Sequence, residues 1–117
     1  MPTKRRYDEH STEFGLWLRQ QGEIDSSLGF ITTNLDFIWC NYKSGKWMLI
    51  EEKRHSGHIQ FYQNRLFSHI DKLCQVDKLY CGFHLLVFEN TNPDDGKMWL
   101  DGSEINRTDL LKFLQFK

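Results

Sequence analysis

The chain has 117 residues, of which 39% are hydrophobic, 26% charged and 15% aromatic, with a formal net charge of −1. That length suits one domain with a real core, residues 1–117 with 1–10 as a flexible arm, and the near-neutral charge speaks against a strongly basic nucleic-acid binder while leaving room for a locally positive face. No apolar run approaches the roughly 18 residues of a membrane span, and the polar start Met1-Pro2-Thr3-Lys4-Arg5-Arg6 lacks a signal-peptide apolar region, so the expectation is a soluble, cytoplasmic protein with no membrane partner.

In chain order, the arm with Lys4-Arg5-Arg6 leads to Ser11, a good N-cap residue, and Phe14, Trp17 and Leu18 then fall at helical spacing before Gly22, which predicts a short amphipathic helix over 11–21. Residues 28–33 are rich in β-branched side chains and read as a first strand. Residues 35–41 and 46–53 read as apolar strands, and the polar, glycine-containing run from Tyr42 to Lys46 between them as a hairpin turn, so that three strands form a meander. Ser56-Gly57 breaks the last of these, and Ile59, Tyr62, Leu66, Ile70 and Leu73 mark one face of a helix over 57–74 that is expected to pack on the sheet.

The run from Leu79 to Phe88 is nearly all apolar, as in a central strand covered on both sides, and should pair beside the hairpin. Asn92-Pro93-Asp94-Asp95-Gly96 is a turn, 97–100 a short edge strand, and 107–116 a last helix capped by Asn106 or Thr108. The predicted order α-β-β-β-α-β-β-α is that of an α/β fold, a central mixed β-sheet flanked by helices.

Chemistry concentrates on the hairpin. Asp36 opens one strand, in Asn34-Leu35-Asp36-Phe37-Ile38-Trp39, and Glu51-Glu52-Lys53 closes the other. Side chains alternate faces along a strand, so Glu51 and Lys53 share one side while Glu52 takes the other. Charges at the end of a buried strand are costly unless they pair or bind a cation. Asp36 followed by Glu51-x-Lys53 after a hairpin, with a helix next, resembles the PD-(D/E)xK nuclease superfamily with its restriction-endonuclease-like core, nearest to its small Holliday-junction-resolvase-like members. Leu35 stands where the proline of the motif would be, and the resemblance spans roughly residues 11–90.

The resemblance implies a Mg²⁺- or Mn²⁺-dependent nuclease hydrolysing phosphodiester bonds, with DNA, branched or junction DNA included, as the nucleic-acid partner. In it Asp36, Glu51 and the backbone carbonyl of Glu52 are metal ligands, and Lys53 orients or deprotonates the attacking water. It further implies a glutamate on the first helix that reaches the metal, for which Glu13 is chosen and Glu9 is the alternative. A glutamine on the helix after the motif is implied too, with Gln60 preferred to Gln63. Arg54, His55 and His58 follow the lysine at once and are candidates to touch substrate phosphates. The small size leaves room for a homodimer that engages two strands.

Two rival readings come from different classes. His55, His58, Cys74 and Cys81 offer zinc-type ligands, but their spacings fit known zinc modules poorly. Together with Cys40 the cysteines form an odd set with no CxxC, which predicts reduced thiols. The other rival is a nuclease-like scaffold that is catalytically inactive and acts as a nucleic-acid-binding or regulatory protein.

Overall fold

Short polar side chains fix where the first elements start and stop. The computed structural model of the chain describes residues 12–55 and 57–117, which belong to two compact units, Met1–Thr33 and Asn34–Lys117. In the first unit Thr12 Oγ1 accepts the Gly15 N–H at 3.0 Å and caps helix α1 (Glu13–Arg19), with Glu13 in its first turn and Arg19 in its last, the arrangement a helix dipole favours. The expected cap Ser11, the arm 1–10 and Glu9 lie outside the described residues, as does Ser56.

Two 3-10 turns follow, Gly22–Ile24 and Ser26–Leu28. The strand expected over 28–33 does not form. The Asp25 carboxylate accepts both the N–H and the hydroxyl of Ser27, at 3.0 and 2.6 Å, and Gly29 closes the second turn at φ +99°. Such side-chain-to-backbone bonds offer the chain an alternative to a sheet ladder, and 29–36 run on without strand pairing.

The second unit is built on a five-stranded sheet whose spatial order equals its chain order. Strands β1 (Phe37–Cys40) and β2 (Trp47–Arg54) form the expected antiparallel hairpin, with Phe37 opposite Ile50 and Cys40 opposite Trp47. Asn41 Oδ1 accepts the Lys43 and Ser44 N–H groups in the turn, and Gly45 supplies φ +83°. Helix α2 (Phe61–Cys74) is the crossover that brings β3 (Tyr80–Phe88) parallel to β2. Strands β4 (Met98–Leu100) and β5 (Ser103–Ile105) add antiparallel, and helix α3 (Arg107–Leu114) closes the chain. Asn106 caps α3 reciprocally with Asp109, at 2.8 and 3.1 Å.

The architecture is therefore a small α/β fold with a central mixed sheet flanked by helices, in the order α-β-β-α-β-β-β-α. This corrects the expected order: the strand missing before α2 is matched by an extra one after β4. The edges of the sheet are β1 and β5, and β4 lies inside it. A two-residue turn with both Asp101 and Gly102 at positive φ, +51° and +89°, makes that last hairpin.

Strand alternation separates the two faces of β2. Met48 and Ile50 enter a core with Leu86, Phe88, Met98 and Leu110, against which Phe113 and Leu114 of α3 pack. Leu49 and Glu51, both buried, point to the opposite face. There α2 presents Phe67, stacked on Phe83 at 4.9 Å, and the stripe Tyr62, Leu66, Ile70 and Leu73, expected to pack on the sheet, is exposed. Polar ties decide the difference: the Tyr80 hydroxyl donates to Asp71 at 2.6 Å and Gln63 meets Lys53, so the face 63, 67, 71, 74 turns inward.

Candidate metal centre

Glu51 is the one charged side chain buried among the described residues, at 3% exposure. It stands on β2 opposite Leu85 of β3, in the middle of the sheet, and the bend at Asp36 folds over it from the start of β1. The Asp36 N–H donates to Glu51 Oε1 at 3.3 Å, and Asp36 Oδ2 in turn accepts the Glu52 N–H at 2.9 Å. Asp36 and Glu51 are thereby held side by side through the backbone N–H groups of Asp36 and Glu52. Lys53, two residues on and on the same face, places Nζ 3.4 Å from Glu51 Oε2.

Burial pushes the Glu51 carboxyl above the ordinary glutamate range, and the Asp36 charge adds to the rise; the Asp36 N–H and the Lys53 ammonium oppose it without cancelling it. Two like charges are held together in a low-dielectric place, and one lysine does not relieve them. A perturbed carboxyl of this kind, held beside a second carboxylate and a lysine, marks the cluster as a candidate functional site.

The other expected residues fall as follows. Glu52 turns to the far face of the sheet, where its carboxylate pairs with Arg54 Nε at 2.9 Å, so only its backbone is on the Asp36 side. Gln63, not Gln60, reaches the lysine: its Oε1 lies 3.3 Å from Lys53 Nζ and 3.3 Å from the Gln60 N–H. Gln60 is the N-cap residue of α2. The signal for Gln63 was present in the sequence as the Gln-x-x-Gln spacing of a capping box, which turns the third helical residue back toward the strand end.

His55 takes φ +54° as the chain leaves β2, donates its N–H to Phe88 O at 3.0 Å, and is exposed, as is His58. Behind them Gly57 passes so close that a Cβ would meet Arg54 O at 3.0 Å and Lys53 Cβ at 3.3 Å. Glu13 belongs to the N-terminal unit, on the first turn of α1. Among the described residues no group of three or more His, Cys, Asp or Glu side chains is placed to hold a metal ion, so the set His55, His58, Cys74 and Cys81 is not gathered. The carboxylate site rests on two side chains, Asp36 and Glu51.

A pair of carboxylates at a strand end suits a hard divalent cation such as Mg²⁺, which takes one or two protein carboxylates and completes its octahedron with water and substrate phosphate. It does not suit a closed structural zinc site. No protein-family model, curated protein or solved structure matches the chain. No helix among the described residues is long and apolar enough to cross a membrane.

Proposed function

We propose that this chain is a Mg²⁺- or Mn²⁺-dependent nuclease of the PD-(D/E)xK type, hydrolysing phosphodiester bonds of DNA, with branched and junction DNA among its substrates. The observation that carries the reading is the buried Glu51, held against Asp36 and joined by Lys53 on one face of the sheet. A salt bridge for its own sake would be poor design here, since a buried charge is stabilised no better than an apolar residue in its place.

In this reading Asp36 and Glu51 hold the cation, with the Glu52 carbonyl as a further ligand from the backbone. The ion supplies charge neutralisation at the scissile phosphate and an acidified water. Lys53 holds that water by hydrogen bonding and takes up or shields the developing negative charge, and Gln63 keeps the ammonium from swinging onto Glu51 alone. The family resemblance also calls for a glutamate on the first helix, for which Glu13 is the candidate. Arg54, His55 and His58, which follow the lysine at once, are the phosphate contacts nearest to the chemistry. The cysteines are free, Cys40 and Cys81 exposed, which fits the reducing cytoplasm in which we place the protein.

The test is a cleavage assay on single-stranded, duplex, flap and four-way-junction DNA in Mg²⁺, Mn²⁺, Ca²⁺ and EDTA, with Lys53→Ala run beside the wild type to exclude a contaminant. Cleavage that needs Mg²⁺ or Mn²⁺ and is lost in the variant supports the reading. Undiminished activity in EDTA, or no cleavage of any substrate, returns the triad to the scaffold.

A further inference from the structure

Helix α2 has one face turned from the sheet. Gln63, Phe67, Asp71 and Cys74 are its inward residues; at the opposite side, with helical spacing, stand Phe61, Arg65, Ser68, His69 and Lys72, all exposed. Asn64, Arg65, Leu66, Ser68, His69 and Lys72 line a shallow surface depression of ≈ 480 Å³. The only acidic residue of the helix, Asp71, is engaged with Tyr80 and Gln75, and none of Arg65, His69 and Lys72 has an ion pair among the described residues. Arg65 and Lys72 stand about two turns apart on this face with the His69 ring between them, a row of donors with no carboxylate of the helix on the same side.

Aromatic residues sit at the head of that stripe. Phe61 is 68% and Tyr62 60% exposed, their rings edge to face at 5.6 Å, on the first turn of the helix. The same turn carries Gln63, which bonds to Lys53. A basic run preceded by two unburied rings is what a nucleic-acid strand with unstacked bases requires: planar faces to stack on, then donors to follow its phosphates. The distance fits, since Arg65 to Lys72 covers about 10 Å of helix, the axial length over which one strand carries roughly three phosphates.

We propose that the outer face of α2 is a track for single-stranded nucleic acid, in which Phe61 and Tyr62 stack on unpaired bases and Arg65, His69 and Lys72 hold the backbone. The choice of nucleic acid as the polyanion rests on the nuclease reading; the track itself rests on the charge and aromatic pattern of the helix. It makes the preferred substrate one with an unpaired segment, a flap or a frayed junction arm, led over the first turn of α2.

The experiment is fluorescence anisotropy of a labelled oligo-dT and a labelled duplex of equal length, in EDTA, with the full chain, Phe61→Ala, and Arg65→Gln/Lys72→Gln, each checked for folding by circular dichroism. The wild type should bind oligo-dT at least as tightly as the duplex. Phe61→Ala should weaken oligo-dT binding roughly ten-fold and hardly change the duplex. The double variant should weaken both and lower the slope of log K against log salt by about 1.4 for the single strand. Equal affinities for all variants, or a wild type that prefers the duplex with no response to Phe61→Ala, overturns the track. So does binding to phosphatidylserine vesicles without binding to either oligonucleotide, which would make the face a lipid contact. Because binding is read without metal, a protein that binds through this face and cuts nothing keeps the track and loses the nuclease reading.

Discussion

Glu51 is a charge that the sheet holds at a cost, and the direction of its pKa shift turns that cost into a measurable pH dependence. Its carboxyl is raised in the native state by burial first and by Asp36 second. Between the ordinary glutamate range and the raised native value, the folded protein binds more protons than the unfolded chain, so metal-free stability falls as pH rises through that window. Glu51→Gln should flatten this dependence and melt higher than the wild type at neutral pH without metal; urea unfolding at several pH values in EDTA reads it. A cation binds the ionised form, so added Mg²⁺ should stabilise the wild type more as pH rises through the same window. On activity, Lys53→Ala should lower kcat by about 10²- to 10⁴-fold, the range of a general acid–base group. Gln63→Ala, which loosens the lysine, should cost roughly 10- to 100-fold. Glu52→Ala should cut nearly as well as wild type, because its side chain faces Arg54 on the other side of the sheet. Comparable losses from Glu51→Ala and Glu52→Ala would mean that the face alternation is wrong.

At the scale of elements, the hairpin was legible because its strands are apolar runs around a turn with Asn41 and Gly45, and α3 because Asn106 and Asp109 spell a capping box. What was not legible depended on contacts that composition does not carry. Residues 28–33 have strand-like side chains, yet Asp25 and Gly29 fix a 3-10 turn at their head. The α2 stripe of Tyr62, Leu66, Ile70 and Leu73 has helical spacing, yet the bonds from Tyr80 and Lys53 turn another face inward. The same ties explain why Gln63 displaced Gln60 at the lysine. Of the site, the shared face of Glu51 and Lys53 was readable from strand periodicity and Asp36 from the family resemblance, while the hydrogen bonds from the Asp36 and Glu52 N–H groups that hold Asp36 beside Glu51 were not. The α3 face is the core that supports all of this. Leu110→Ala, with Leu110 5% exposed, should therefore cost about 2–5 kcal/mol in denaturant unfolding. By contrast His55→Gly, which relieves a left-handed residue at the end of β2, should gain stability by about 1 kcal/mol.

At the scale of the molecule, a net charge of −1 conceals an uneven distribution, with the carboxylates Asp36 and Glu51 gathered on one side of the sheet and an acid-poor basic face on α2. Asp36, Glu51, Lys53 and Gln63 all belong to the larger unit, Asn34–Lys117. The central claim is that the buried charge exists for a divalent cation, and thermal unfolding of wild type and Asp36→Asn, with and without millimolar Mg²⁺, tests it most directly. Removing one of two crowded carboxylates relieves repulsion, so the metal-free variant should melt above the metal-free wild type. Mg²⁺ should then raise the wild-type midpoint by mass action and leave the variant nearly unmoved. A variant that melts lower without metal, beside a wild type indifferent to Mg²⁺, would contradict the claim and make Asp36 and Glu51 parts of an ordinary salt-bridge network.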